Sequence, residues 1–302
     1  FQPGHSLKLA RSDTYHGTKA ASNVVEFMQY SDADALSKAL TDGSLDMAAP
    51  VSASTATGLN GKDGLTVKEG ATTDKVLLAY NNGTDSLLSD EQARKAFRYQ
   101  IDAAGIASAQ PDAAGALGGP ISLLEPGYED LTGLYPHDEN QAGQMFSYFG
   151  AQYLTTVNLV VPEEYRSLAE TIKQQIERQP RPTVNLEVLS DEDYAKRIKD
   201  GKWELTVMSM DGTDDAGIFA DPDSMFHYDH TEAQQAYADA RAATNDADYE
   251  ARMKAYARLI SEDAASDWLY TRKCFTVAST KVSGYPTSMI NRRMPLAGLT
   301  VK

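Results

Sequence analysis

Between Val76 and Ile106 the chain changes its apolar period once, and that change constrains what the middle of the molecule can be. Val76, Leu77, Leu78, Ala79 and Tyr80 form an unbroken apolar run, the pattern of a short buried strand, which breaks at Asn81, Asn82 and Gly83. Ser89 stands three residues ahead of Gln92, the spacing of a capping box that satisfies orphan amides at a helix start. Ala93, Ala96, Phe97 and Ile101 then recur at helical spacing, and Gly105 stands where a left-handed stop is expected. The segment reads as strand, loop, helix.

The same alternation continues. Val157–Val161 is expected as a strand, followed by Pro162 in a first turn and a helix with Tyr165, Leu168, Ala169, Ile172 and Ile176 on one face. Pro180 and Pro182 end that helix. Thr183–Leu189 alternates apolar and polar residues as a half-buried strand does, and Ser190 with Asp193 caps the next helix, with Leu189 stapled onto Tyr194. Gly201 stops the helix, and Trp203–Met210 returns as a strand. Helices over Thr231–Ala243 and Ala247–Ala264 precede a strand over Trp268–Ala278. Strand and helix in turn predict an α/β unit with a largely parallel sheet over 76–274. Residues 1–75 read as strand-rich around one helix, Ser31–Asp42, ending in a Gly/Ser/Thr loop from Ser52 to Thr73. Residues 275–302 return to short strand-like pieces broken by Gly284, Pro286 and Pro295, and are expected to pack with 1–75.

Composition narrows the class. A chain of 302 residues with 42% hydrophobic and 24% charged residues is an ordinary globular protein with room for two domains. Its net charge of −15 argues against a nucleic-acid partner, since phosphate binding needs a basic face. No apolar run reaches 18 residues. The single cysteine, Cys274, excludes an internal disulfide and reads as a small core residue.

Several segments, in order, resemble the family 5 extracellular solute-binding proteins, the capture subunits of ABC importers for dipeptides, oligopeptides and nickel. Asn81, Asp90, Arg94, Ala96, Tyr99, Ile101 and Asp102 resemble that family's "strand–Asn, then Arg-x-Ala-x-x-Tyr-x-Ile-Asp" segment. Gly4, Leu7, Leu9, Arg11, Asp13, Tyr15 and Gly17 resemble an early stretch of the family, and Ala39, Leu40, Gly43, Ser44, Leu45 and Asp46 another. Tyr135, Pro136, Asp138, Ala142 and Gly150 follow in order, then Ala169, Glu170, Ile172 and Gln175, then Asp221-Pro222. The resemblance implies a two-lobed, periplasmic-binding-protein-like architecture of type II: a partial first lobe made of 1–75 and 275–302, and a complete α/β lobe over 76–274. Phe1 opens the chain without a signal peptide, and the sequence reads as an N-terminally truncated member whose secretion or lipid-anchor signal lies outside it. The implied partners are a small solute, with a short peptide first and a nickel chelate second, and an ABC permease in the membrane. An extracellular or periplasmic monomer without a cofactor is expected, and no enzyme.

By the same resemblance the chain crosses between lobes near Val76–Asn81 and Leu269–Phe275, with solute in the cleft. Tyr80 and Asn81, then Met210, Asp211, Thr213, Asp214 and Asp215, and finally Tyr270 are the expected ligand-binding residues. The family places a carboxylate in a "W-x-x-D-Y-x-x-P" stretch. Here Met210 stands where that tryptophan would be and three extra residues precede Asp221-Pro222, so Asp211, Asp214 and Asp215 remain alternatives. A solvated acidic loop is the plain reading of the same residues.

Metal readings are weaker. Asp211, Thr213 and Asp215 alternate as in a calcium loop, yet Ala216 replaces the turn glycine and Pro222 the bidentate glutamate. His227 and His230, three apart, would face one side of a helix and suit nickel or zinc, but lack further ligands; Asp229 or Thr231 there reads as a helix cap. No metal is expected at either place. Catalytic motifs are absent, and Gly115–Gly119 reads as a loop. A metal-assisted hydrolase using His227 and His230, or an adhesion or sensor module on the same fold, are the remote alternatives.

Overall fold

The computed structural model describes residues 2–148, 156–290 and 293–302; Gly150 of the resemblance lies outside them. The chain divides into two compact units, residues 1–72 with 273–302 and residues 73–272. Both boundaries fall inside long strands, β4 (Leu65–Tyr80) and β9 (Ser266–Ser279).

In the first unit β1 (Ser6–Ala10) and β2 (Val24–Met28) form an antiparallel hairpin. Helix α1 (Ala33–Asp42) starts at Asp32, which accepts from the Ala35 amide, and stops at Gly43, whose φ of 78° suits a residue without a Cβ. Strand β3 (Met47–Val51) pairs antiparallel with the far end of β9. The expected Gly/Ser/Thr loop over 52–73 is absent. Ser52 instead caps α2 (Ala53–Leu59) by accepting from the Thr55 amide, and Leu65 already begins β4. The misreading has a physical cause: this half of β4 is only half-buried, so threonine, lysine and glutamate replace the apolar signal. Leu40, Val51, Ala56, Leu59 and Val277 make the core here. Two short strands, β10 (Val282–Ser283) and β11 (Thr300–Val301), pair antiparallel.

The second unit is built on a sheet in the order β9–β4–β8–β6–β7, with β8 at Leu205–Met210, β6 at Thr156–Pro162 and β7 at Thr183–Leu189. It is mixed rather than largely parallel. Strand β6 runs parallel to β7 and β8, but β4 pairs antiparallel with β8, and β5 (Ala113–Ala116) pairs antiparallel with β9. Alternating strand and helix signals reported the βαβ half correctly and could not report that β4 and β8, over a hundred residues apart, lie side by side. Gly115 and Ala116, expected in a loop, belong to β5.

Helix α3 (Glu91–Gln100) starts at Asp90, whose carboxylate accepts from the Gln92 amide; Ser89 is not the cap. Gly105 lies inside the short helix α4 (Ala103–Ala109), which Asp102 caps, and so stops nothing. Helix α5 spans Glu139–Tyr148. Helix α6 (Arg166–Ile176) buries Leu168, Ala169, Ile172 and Ile176 against the sheet, each large side chain worth about 1.5–3 kcal/mol removed from water. Ser190 caps α7 (Asp191–Lys199), as expected. Helices α8 (Thr231–Arg241) and α9 (Asp246–Glu262) pack on the other face, over a core containing Phe219, Phe226, Tyr256 and Trp268. No helix among the described residues is long and apolar enough to cross a membrane.

Candidate functional site

The register of β4 on β8 decides which candidate residues can act together. Lys75 stands opposite Met210, and Tyr80 opposite Leu205. Five residues of strand separate those two ends, about 17 Å at about 3.4 Å per residue. Tyr80 and Asn81 therefore lie at one end of the pair, and Met210 to Asp215 at the other. The strand pair does not bring these two groups together.

At the Tyr80 end the groups are structural. Tyr80 has no exposed surface and its ring packs 6.3 Å from that of Phe97, while burial pushes its phenol well above the usual range. Asn81 directs its amide to the Gly201 and Trp203 carbonyls, and its Oδ1 accepts from the Gly83 amide. Tyr270 is buried too, paired in register with Ala116 of β5. An expected aromatic wall is thus core in both cases, because the apolar runs that suggested a ligand surface are the runs that fill the sheet's own interior. Asn81 does border an open cavity of about 640 Å³ with Gly83, Asn158, Trp203, Glu204 and His227.

At the Lys75 end the arrangement is ionic. Lys75 is 1% exposed, a position almost no lysine occupies unpaired. Its ammonium donates to the Thr73 carbonyl at 3.0 Å, the Gly212 carbonyl at 3.0 Å and Glu125 Oε2 at 2.9 Å. Those three acceptors match its three donors. Asp215 Oδ2 lies 3.4 Å from the same nitrogen, and that buried oxygen makes no hydrogen bond among the described residues. One cation thus faces two carboxylates. Gly212 makes the fold-back of the loop feasible, since a Cβ there would stand 2.1 Å from Asp215 Oδ1.

The other loop residues have separate roles. The Asp211 carbonyl accepts from Thr73 Oγ1, and Thr213 is exposed. Asp214 accepts from Tyr237 at 3.0 Å and from Arg241 at 3.3 Å in an exposed cluster. Met210 is half-buried against the core of this face. Lys75 and Glu125 were not anticipated. The signal available was a single lysine at the mouth of an apolar run, in TTDKVLLAY, where a buried strand has no use for an unpaired charge.

The two histidines do not share a helix face. His227 precedes α8 and has a φ of 47°, whereas His230 caps the helix through Nδ1, which accepts from the Ala233 amide. The cap is therefore neither Asp229 nor Thr231. Among the described residues no group of three or more His, Cys, Asp or Glu side chains is arranged to hold a metal ion.

With this geometry established, the sequence profile of the bacterial extracellular solute-binding proteins, family 5 Middle, matches residues 1–240. The chain belongs to that family. Family 5 structures share its fold across the whole chain at low identity. The ABC transporter substrate-binding protein CtaP from Listeria monocytogenes superposes with a TM-score of 0.85 at 14% identity, over 100% of this chain and 65% of that one. The oligopeptide-binding protein AppA from Bacillus subtilis, solved with a nonapeptide, gives 0.74 at 16%, over 100% and 65%. NikA from Brucella suis, solved with Fe(III)-EDTA, gives 0.78 at 16%, over 100% and 66%. The chain thus spans just under two thirds of the length of these proteins. No curated protein matches it in sequence.

The family's arginine motif is explained by the structure. Arg94 is buried and donates to the Leu88, Ser89, Asp263 and Ala264 carbonyls and to Asp263 Oδ2, so every part of its guanidinium is used within the fold. Arg98 pairs with Asp267 at 3.1 Å and lies over the Tyr135 and Trp268 rings. Burial pushes the Asp267 carboxyl up to about 7 against the pull of that guanidinium.

Proposed function

We propose that this chain is the larger part of an extracellular solute-capture protein of an ABC importer, acting as a monomer on the outer side of the membrane and presenting short peptides to a permease. Residues 73–272 form its complete α/β lobe, and 1–72 with 273–302 form part of the other. Asp215 carries this reading. Its Oδ2 is buried, lies at the loop after β8, and has an ammonium 3.4 Å away whose donors are already committed to three other oxygens. A carboxylate that is only 21% exposed and has an unused acceptor gains most from an incoming charged donor, and the amino terminus of a peptide is such a group. Asp214, exposed and paired with Arg241, offers no comparable gain.

The test is calorimetric titration of synthetic tripeptides into the full-length protein. Asp215→Asn is expected to weaken binding by about 2–5 kcal/mol, as for truncating one partner of a buried charge pair. Asp214→Asn should cost under about 1 kcal/mol. Equal, near-neutral effects at both positions would remove Asp215 as the anchor. Binding of a nickel chelate in place of every peptide would replace the solute class.

A further inference from the structure

Asparagine precedes glycine twice in the chain, at Asn60–Gly61 and at Asn82–Gly83, and the fold treats the two pairs in opposite ways. Such a pair is reactive because glycine has no Cβ to keep its backbone nitrogen away from the side-chain carbonyl before it. At Asn82 the reaction is blocked. Asn82 is buried, and its Nδ2 donates to the Tyr80 and Phe226 carbonyls at 3.0 Å and to the Ala265 carbonyl at 3.2 Å. The Gly83 amide is committed as well, donating to Asn81 Oδ1 at 3.0 Å. The nitrogen that would leave and the nitrogen that would attack are both held.

At Asn60 neither is held. Asn60 closes α2 with an extended backbone, φ −65° and ψ 130°, and its own amide bonds back to the Ala56 carbonyl at 3.0 Å. Both residues of the pair are exposed, and neither the Asn60 side chain nor the Gly61 amide makes a hydrogen bond among the described residues. Gly61 has a φ of 78°, and a Cβ built on it would meet no atom within 4 Å. Rotation about the Asn60 ψ carries the Gly61 nitrogen toward Cγ through open space. The turn bond that it strains, from the Lys62 amide to the Leu59 carbonyl, is a long one at 3.2 Å.

We infer that Asn60 converts spontaneously to aspartate and isoaspartate in the folded protein, and that this conversion loosens α2. The Gly61 nitrogen gives its proton to solvent base and bonds to Asn60 Cγ, and the tetrahedral carbon expels Nδ2 as ammonia, leaving a five-membered imide. Water then adds to one ring carbonyl and the ring opens. Cleavage of the Cγ–N bond gives aspartate; cleavage at the backbone carbonyl gives isoaspartate, whose chain runs through the side chain. One water is consumed and one ammonia released, with no change of oxidation state. Either product sets a carboxylate at the C-terminal end of α2, the negative end of its dipole. Isoaspartate also lengthens the backbone by one carbon between Leu59, buried in the core of the first unit, and the start of β4.

The experiment incubates the full-length protein at pH 6 and at pH 8, folded or in urea, and follows tryptic peptides 39–62 and 76–94 by mass spectrometry. Peptide 39–62 carries Asn60 and no other asparagine. In the folded protein the acid forms should accumulate in 39–62, faster at pH 8 because attack needs a deprotonated amide. Conversion in 76–94 should be at least about tenfold slower, since Asn82 reacts only when the fold opens. In urea the two rates should converge, and Asn60→Gln should remove the conversion in 39–62. Asn60→Asp, which copies one product, should lower the unfolding midpoint. A folded protein whose 39–62 stays amidated while the unfolded protein converts overturns the inference, as do equal rates at the two sites in the folded state. An Asn60→Asp midpoint at or above that of the wild type overturns the loosening of α2.

Discussion

The two ends of the β4–β8 pair handle polarity in opposite ways. At the Asn81 end, neutral amides close the strand: Asn81 and Asn82 between them donate to the Gly201, Trp203, Tyr80, Phe226 and Ala265 carbonyls. Each such bond is modest, and loss of the Asn81 amide leaves the Gly201 and Trp203 carbonyls beside an open cavity that water can reach. At the Lys75 end, full charges are buried and depend on one another, so removal of one exposes the cost of the rest. Closure by amides tolerates change. Closure by charges ties the position of two loops to a single nitrogen.

Lys75→Met gives the largest way to break this contrast. It would leave Glu125 and Asp215 without a cation, and is expected to destabilise the protein by about 3–5 kcal/mol in urea unfolding. A midpoint near the wild type would mean that the two carboxylates do not depend on it. The second probe is pH, read through Asp267 beside Tyr80 and Arg98. Its carboxyl is raised by burial from 3.8 to about 7, so the folded state binds the extra proton between those values. The stability this contributes is fully present below 3.8 and is lost as pH rises through about 7, amounting to a few kcal/mol. Unfolding of the wild type should therefore become harder from pH 8 to pH 5, and Asp267→Asn should lose that trend. A parallel pH profile in the variant would show that another group is responsible. The smallest effect belongs to Asn81→Ala, expected to cost about 1–3 kcal/mol through the lost carbonyl contacts. A cost as large as that of Lys75→Met would erase the distinction between the two ends.

Much of the second unit was legible because its helices and strands show their buried faces in sequence. The run Thr183–Leu189 and the Ser190 cap are examples in which local chemistry alone decides. The first half of β4 was not legible, since a half-buried strand with threonine and glycine reads as loop. The spacing of the candidate site residues was hard to read for a different reason. Tyr80, Asn81 and Asp215 looked like neighbours because each adjoins a strand end, but only register shows which strand ends meet. Lys75 and Glu125 are separated by 50 residues, and nothing periodic links them.

Arg94 joins residues 88 and 89 to residues 263 and 264, a span of about 170 positions, and β9 is the last long strand to enter the second unit's sheet. A chain emerging from its amino terminus would complete β4, β8, β6 and β7 while that arginine still lacked its carbonyl partners and β4 still lacked its neighbour on one side. Contacts of such separation form slowly. The unit should remain an incomplete, sticky intermediate until Asp263, Ala264 and β9 appear, so a holding chaperone matters more to this molecule than to one whose sheet closes in the order it is synthesised.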